Sequence, residues 1–253
     1  MEFRILGPVR VRTGEHEDAL SGSKQRTMLA ALLLTDGRAL SDEHLGRMLW
    51  DTNPPSTAPA QIHTYASRIR RRLGPDVPLV RIRTGYQLMA EHVAYDYREF
   101  GRLSDEGHRA LRVQNYELAA ARLGQALALW RGEALADTTD HMVFAERPRL
   151  EEFRLEALES RIEAELILGR HRQLVSELTG LVRHHPMRER FRALLMTALY
   201  RSDRQAEALT AYLDGRRLLA EELGVEPGLL LARTYQAVLT GEVRTLMPQQ
   251  LAS

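Results

Sequence analysis

Four arginines lie within five positions of the stretch AQIHTYASRIRRRLG, residues 60–74: Arg68, Arg70, Arg71 and Arg72. Guanidinium groups bind phosphate oxygens and the edges of guanine, so this stretch is suited to holding nucleic acid. A solvated helix face explains the same composition, because charge runs on helices are usually exposed to water. The stretch by itself leaves both interpretations open.

Helical periodicity separates the side chains of this stretch into faces. At 100° per residue, an apolar stripe within roughly 60° contains Ile62, Ala66, Ile69 and Leu73. The opposite face carries Thr64, Ser67, Arg68 and Arg71. One flank of that face holds Arg70, and the other holds Arg72 with Gln61 and Tyr65 beside it. We predict that the central polar residues contact bases in the major groove and that the flanking arginines contact phosphates.

Two further segments offer cationic or polar groups to the same partner. The segment LVRIRTGYQLMA, residues 79–90, predicts a hairpin that displays Arg81 and Arg83 near its turn. A predicted helix beginning near Ser23 can offer free backbone amides to a phosphate. The complete predicted set of DNA contacts is Ser23, Lys24, Arg26, Gln61, Thr64, Tyr65, Ser67, Arg68, Arg70, Arg71, Arg72, Arg81, Arg83, Thr84 and Tyr86.

The elements around these residues follow the order strand pair, three helices and hairpin. Alternating apolar residues over 1–12 predict two short strands. Ser23 is the expected N-cap of the first helix, with Gly37 as its C′ residue, and Ser41 is the expected N-cap of the second. The third helix is predicted over 60–73 and ends before Gly74. This is the order of a winged helix–turn–helix.

Residues 96–240 are predicted to be nearly all helical, with repeated helix–turn–helix junctions. Similar sequence segments begin at three anchor residues, Asn115, Arg170 and Arg204. The distance along the chain between the last two equals the period of tetratricopeptide repeats. The wider first spacing indicates an insertion around residues 130–150. Small or apolar residues stand at matching positions where paired helices should touch: Ala119, Leu174 and Ala208. Residues 245–253 are expected to form a loose tail.

Composition excludes several classes of protein and site. The chain has no cysteine, which rules out disulfides and cysteine metal sites. The formal net charge is only +1, yet six arginines and one acid fall within residues 61–83, so the positive charge is concentrated. Since no apolar run is long enough for a membrane span and the N-terminus lacks the features of a signal peptide, the expected location is the cytoplasm.

Other candidate sites have simpler explanations. The histidines His171, His184 and His185 are expected at a surface or turn rather than at a metal. The carboxylates Glu151, Glu152 and Glu156 are expected to be solvated or paired along a helix. Trp50 and Trp130 are expected in the core, with Trp50 an alternative phosphate contact through its indole N–H. No nucleophile–base constellation is present, so we expect no enzyme activity, metal or cofactor.

Particular words resemble two known domains. LLTDGRALSDEHLGRMLW, AQIHTYASRIRRRLG and RTGYQL resemble the helices and wing of an OmpR-type winged-helix domain. AAARLGQALALWRGEALAD, RLEEFRLEALESRIEAELILGRH and LLAEELGVEPG resemble the bacterial transcriptional activation domain. In this order they resemble the Streptomyces antibiotic regulatory protein family. No receiver domain precedes and no GxxxxGK[ST] follows, so the expectation is the short form of that family.

The resemblance implies a fold and a function. The expected fold is mainly α: a winged helix–turn–helix over 1–92, a tetratricopeptide-like domain over 93–244 and a flexible tail over 245–253. Family members activate antibiotic biosynthetic genes, bind direct repeats of promoter DNA as dimers and contact RNA polymerase through its sigma and alpha subunits, which implies a nucleoid-associated cytoplasmic protein. The alternative is a helical-repeat scaffold or ligand-sensing regulator that does not touch polymerase.

Overall fold

A computed structural model describes residues 1–14, 16–18 and 20–242. Its strands are β1 Glu2–Arg4, β2 Arg10–Thr13, β3 His16–Asp18, β4 Leu40–Ser41, β5 Leu79–Ile82, β6 Gly85–Leu88 and β7 Ala94–Tyr95. Its helices are α1 Ser23–Leu34, α2 Asp42–Trp50, α3 Ala58–Leu73, α4 Asp96–Arg112, α5 Tyr116–Leu127, α6 Asp140–Ile167, α7 His171–His184, α8 Glu189–Arg201, α9 Gln205–Leu223 and α10 Leu229–Thr240. The tail predicted over 245–253 lies outside the described residues. The mainly helical fold with a winged helix and a repeat region is confirmed.

The chain divides into two compact units that are discontinuous in sequence. The first comprises Met1–Asp105 and Gln125–Leu155, and the second comprises Glu106–Gly124 and Glu156–Ser253. Helices α4, α5 and α6 each contribute residues to both units. The domain boundary at residue 92, which was placed from the resemblance of sequence segments to two known domains, stays a prediction.

Two small sheets lie in the first unit. The N-terminal sheet has the order β3-β2-β1-β7, in which β1 pairs antiparallel with β2 and parallel with β7. The wing sheet has the order β4-β6-β5 and is antiparallel. The predicted strand pair and hairpin are confirmed. Strands β3, β4 and β7 were not predicted, because β4 and β7 have only two residues each and β3 has no apolar residue to alternate with polar ones.

The three helices of the winged region begin and end at identifiable caps. Ser41 Oγ accepts the backbone N–H of His44 at 3.1 Å, which confirms the predicted N-cap of α2. The predicted cap of α1 is wrong, because Gly22 occupies the N-cap position and Ser23 is already the first helical residue. Helix α1 also ends earlier than Gly37 predicts: Asp36 has a φ of 49° and adopts the left-handed conformation first.

The segment between α5 and α6, predicted as an insertion between repeats, packs on the N-terminal sheet of the first unit. Arg131 N–H donates to the Leu6 carbonyl at 2.7 Å. The Asp137 carboxylate accepts the Val9 N–H at 2.8 Å and pairs with Arg10 at 2.6 Å. Residues far along the chain therefore complete the packing of β1 and β2.

Asp96, the first residue of α4, joins the same sheet to this segment. Its side chain is buried and accepts the N–H groups of Ile5 at 2.9 Å and Leu6 at 3.1 Å. Arg131 Nη2 lies 2.5 Å from its second oxygen. Burial raises the pKa of Asp96, and the two N–H groups and Arg131 oppose that rise. The carboxylate thus substitutes for strand partners that β1 lacks beyond Arg4.

The second unit contains the predicted repeats. Asn115, Arg170 and Arg204 directly precede α5, α7 and α9, so all three anchors mark helix starts as predicted. The matching positions Ala119, Leu174 and Ala208 are buried, as expected for positions where paired helices meet. Helix α8 packs against α7, α9 and α10. Across the described part of the chain, no helix combines the length and apolar character needed to cross a membrane.

Candidate nucleic-acid interface

Helix α3 is fixed to the first unit by one face and presents the other to solvent. The buried residues are those of the predicted stripe, Ile62, Ala66, Ile69 and Leu73, together with Ala58 at the start of the helix. Pro59 stands in the first turn, where its missing N–H has no helical partner to lose. Gly74, with a φ of 72°, ends the helix as predicted. The stripe therefore determines which side chains point outward.

The outward face of α3 carries two arginines without protein partners. Arg68 and Arg71 are exposed, and in the part of the chain that the structure describes neither guanidinium contacts a carboxylate or a carbonyl. Helix α3 has no acidic residue of its own. Each guanidinium keeps all its donors in a planar fork that matches a guanine edge or a phosphate. This is the pair that the sequence placed at the centre of the exposed face.

The hydroxyl groups on this face are oriented by the helix itself. Thr64 Oγ1 donates to the Ala60 carbonyl at 2.9 Å, and Ser67 Oγ donates to the His63 carbonyl at 3.0 Å. Their protons are thereby used, and their lone pairs remain. In this arrangement the two hydroxyls are acceptors, suited to the exocyclic amino groups of adenine or cytosine.

Two arginines predicted to contact phosphates are held by protein groups. Arg70 Nε donates to the Leu79 carbonyl at 2.6 Å. Arg81 forms a bidentate pair with Asp42 at 2.6 and 2.7 Å, and this hydrogen-bonded pair raises the pKa of Arg81. Both guanidinium groups lie over the ring of Tyr86, at 5.6 and 4.7 Å from its centroid. They connect α3, α2 and the wing.

Tyr86 is buried and is therefore no longer a candidate for contact with DNA. Its side chain is 1% exposed, so the ring forms the buried floor beneath Arg70 and Arg81. Arg83 and Thr84, by contrast, are exposed in the turn between β5 and β6. Gly85 holds this turn close to β4, because a Cβ at that position would lie 1.9 Å from the Leu40 carbonyl oxygen. The wing therefore offers Arg83 and Thr84 outward.

A row of cationic and aromatic side chains lies along one flank of α3. Lys24 Nζ lies 4.6 Å from the centroid of the Trp50 ring, and Trp50 stacks on Tyr65 at 6.4 Å. Tyr65 Oη donates to Gln61 Oε1 at 3.2 Å. Trp50 was expected in the core, but it is only half-buried and lies between Lys24 and Tyr65. Arg72 of α3 is also half-buried and interacts with another part of the protein.

At the N-terminus of α1, where a phosphate site was predicted, one of the predicted residues is bound to protein groups. Arg26 donates to the Asp137 carbonyl and to the Leu20 carbonyl, each at 2.8 Å, and pairs with the Asp137 carboxylate at 3.1 Å. The Arg26 guanidinium is therefore occupied by its contacts with the segment between α5 and α6. Ser23 and Lys24 are half-buried, and no side chain caps the amides of the first turn.

The outward face also includes one residue that was not among the predicted DNA contacts. His63 is exposed one turn before Ser67. The signal was available, because residues i and i+4 share a helix face and Ser67 was already assigned to it. His63, Thr64, Ser67, Arg68 and Arg71 together form what we call the α3 face.

Comparisons with known proteins identify a family and relatives that match most of the chain. Residues 95–239 match the family described as Bacterial transcriptional activator domain. Regulatory protein AfsR of Streptomyces griseus is 44% identical over 248 residues, which cover 98% of this chain and 25% of that protein. The chain therefore spans about a quarter of the length of AfsR. Regulatory protein DnrI of Streptomyces peucetius is 37% identical, with 96% of this chain and 93% of DnrI covered.

A solved structure shows the same architecture. The structure titled Mycobacterium tuberculosis EmbR in complex with low affinity phosphopeptide superposes with a TM-score of 0.91 at 32% sequence identity. The match covers 97% of this chain and 67% of that one. At this identity and coverage, the likeness includes both the winged-helix and the helical-repeat regions.

Proposed function

The chain belongs to the Streptomyces antibiotic regulatory protein family, and from this premise we propose that it is a sequence-specific DNA-binding activator of transcription. The genes it controls are those of an antibiotic or other secondary-metabolite cluster. It acts in the cytoplasm, at the nucleoid, as a dimer on direct repeats upstream of a promoter, and it recruits RNA polymerase through the sigma and alpha subunits.

The α3 face is the observation that supports DNA binding. Its two unpartnered arginines lie on a helix whose opposite face is anchored by buried residues, so the guanidinium groups are presented on a rigid support. Arg68 and the acceptor hydroxyl of Thr64 are the proposed base contacts. Although helix angle places Arg71 on the same face as Arg68, we assign it to a phosphate, because Arg70 on the flank is held by protein groups. The other proposed phosphate contacts are Arg83, Lys24 and the backbone amides at Ser23.

Selection of duplexes from a random pool, followed by mobility-shift titration, tests this proposal. We expect a recurrent directly repeated sequence and an affinity that falls steeply as salt is raised, because each phosphate contact releases counterions. Recovery of no recurrent sequence, together with an affinity independent of salt, would refute DNA recognition by the α3 face.

Activation needs a test that keeps the first unit intact. A fragment ending at residue 95 lacks Arg131 and Asp137, which bind the backbone of the turn between β1 and β2 and the side chain of Arg26. Loss of activity in such a fragment therefore has two explanations, loss of a recruiting surface or loss of packing. Point variants on the exposed surface separate them.

A further inference from the structure

The first turns of α6 expose an apolar strip. Phe144 is 87% exposed, more than any other large apolar side chain that the structure describes. Ala145 and Pro148 are exposed on the same side of the helix, about 100° and 40° away at helical spacing. Isolated exposed apolar residues are ordinary, but a phenyl ring flanked by further apolar groups is typical of a contact surface. Phe144, Ala145 and Pro148 are called the α6 strip below.

The backbone of the α6 strip carries an acceptor without its helical donor. Pro148 lies inside α6 and has no N–H, so the Phe144 carbonyl loses its i+4 hydrogen bond. Because Phe144 is exposed, the strip can accept a hydrogen bond from outside next to an unburied ring. A partner with a donor at the edge of an apolar pocket satisfies both groups at once.

Two arginines flank Pro148, and both are paired with carboxylates. Arg147 lies 2.8 Å from Glu133, and Arg149 lies 3.0 Å from Glu146.

The remaining charges near the α6 strip are negative. Asp140, the first residue of α6, is exposed, and its carboxylate has no partner among the residues described. Asp51 at the end of α2 lies nearby, with its carboxylate 3.9 Å from His141 Nδ1, and both side chains are about half exposed. These charges repel DNA phosphates and attract lysine and arginine. The chemistry therefore favours a basic protein segment as the partner.

The strip is tied to the helices that support the α3 face. Thr139, directly before α6, donates its N–H to Thr27 Oγ1 of α1 at 2.9 Å and its hydroxyl to the Met48 carbonyl of α2 at 2.6 Å. Helices α1 and α2 both pack against α3. A protein docked on the α6 strip is thus held at a defined distance from DNA bound to α3.

We propose that the α6 strip is the surface through which this activator contacts RNA polymerase. Phe144 inserts into an apolar pocket of a basic polymerase helix, whose lysine or arginine side chains meet Asp140, Asp51 and the free carbonyl of Phe144. This inference rests on the proposed function and names the partner-binding surface for it.

In vitro transcription tests the proposal with the full chain. The template carries the selected direct repeats upstream of a promoter and is transcribed by a Streptomyces polymerase holoenzyme. At saturating activator, Phe144→Ser should lower transcript about tenfold, as expected for an interface anchor, while its affinity for the duplex stays within about twofold of the wild type. Val113→Ser is the matched control, because Val113 is 75% exposed on another helix end and should keep full activity.

The outcomes separate this inference from the function on which it rests. Wild-type transcription by Phe144→Ser overturns the inference and leaves the proposed function standing, and so does an equal loss in Val113→Ser. A loss of DNA affinity equal to the loss of transcript also overturns it, because Phe144 then acts through the fold. If the wild type neither binds a selected duplex nor raises transcription, the proposed function itself fails.

Crosslinking identifies the occupant directly. A photoreactive phenylalanine analogue in place of Phe144 should crosslink to a polymerase subunit in the complex of activator, promoter and holoenzyme. Crosslinks found only between two copies of this chain would assign the strip to dimer formation and overturn the proposal. Crosslinks to neither would overturn it as well.

Discussion

Helix α3 and the helices of the second unit are both rich in arginine, but their guanidinium groups contact different things. In the second unit, Arg161 pairs with Glu165 at 3.0 Å and with Glu177 at 2.5 Å. On α3, Arg68 and Arg71 face solvent, and neither meets a carboxylate among the residues that the structure describes. The number of arginines therefore does not identify the DNA-binding helix. The useful signal is arginine at helical spacing on a segment that has no acid within reach.

The largest effect expected from this comparison is on stability, in the second unit. Glu159 is 8% exposed and lies 2.5 Å from Arg188 Nε and 3.4 Å from Arg190 Nε. Glu159→Ala leaves these cations without that carboxylate in a poorly solvated site. We expect the free energy of unfolding to fall by about 3 kcal/mol, measured by urea denaturation.

The control for that variant uses an ion pair at the surface. Glu207 pairs with Arg204 at 2.7 Å, and both side chains are largely exposed. Glu207→Ala should unfold at nearly the same urea concentration as the wild type, because exposed pairs are screened by water. Equal destabilisation by both variants would show that burial does not distinguish the two pairs.

A smaller effect is expected on the α3 face, and it should appear in binding rather than in stability. Arg68→Ala removes the proposed bidentate base contact and should weaken binding to the selected duplex by about 2 kcal/mol. Preference at one or two base positions should relax at the same time. The measurement is a pair of titrations, one with the selected duplex and one with random DNA. Equal losses on both would contradict a base-reading role.

Arg71→Ala should act on all sequences alike. As a phosphate contact, its loss should reduce the magnitude of the log–log salt slope by about 0.9. Arg217→Ala is the control, because Arg217 is also an exposed arginine, and it pairs with Asp214 at 3.2 Å in the second unit. A matching change in slope for the control would mean that net charge, and not position on α3, determines the effect.

Much of the fold was predictable because it depends on local patterns. The buried stripe of α3 and the Ser41 cap are encoded within a few residues of one another. The repeat anchors were predictable because similar sequence segments mark the three helix starts, two of them at the tetratricopeptide spacing. The packing of residues 130–139 on β1 and β2 was not predictable. Those contacts join positions more than one hundred residues apart, for example Val9 and Asp137, and no periodicity marks them.

The same limit applies to the interface. Sequence spacing correctly placed Arg68 and Arg71 on the exposed side of α3. It could not show that Arg70 is bound to the Leu79 carbonyl or that Arg81 is bound to Asp42. Helix angle depends on position alone, whereas the partner of a long side chain depends on which other element lies beside it. The division between paired and unpaired arginines therefore required the structure.

The smallest effect is expected when Arg81 is released from its carboxylate partner, as Arg68 and Arg71 already are. Asp42→Asn removes the carboxylate that holds Arg81 and keeps a residue compatible with the first turn of α2. Arg81 is then free to reach a phosphate, so the magnitude of the salt slope should rise by at most about 0.9, with slightly tighter binding to all sequences. Glu43→Gln removes the same charge from the adjacent residue, whose partner Arg47 lies 3.1 Å away on α2, and should leave the slope unchanged. An unchanged salt slope in Asp42→Asn would show that Arg81 supports the wing and does not reach DNA even when released. If the magnitude of the slope rose equally in both variants, the change would be due to net charge.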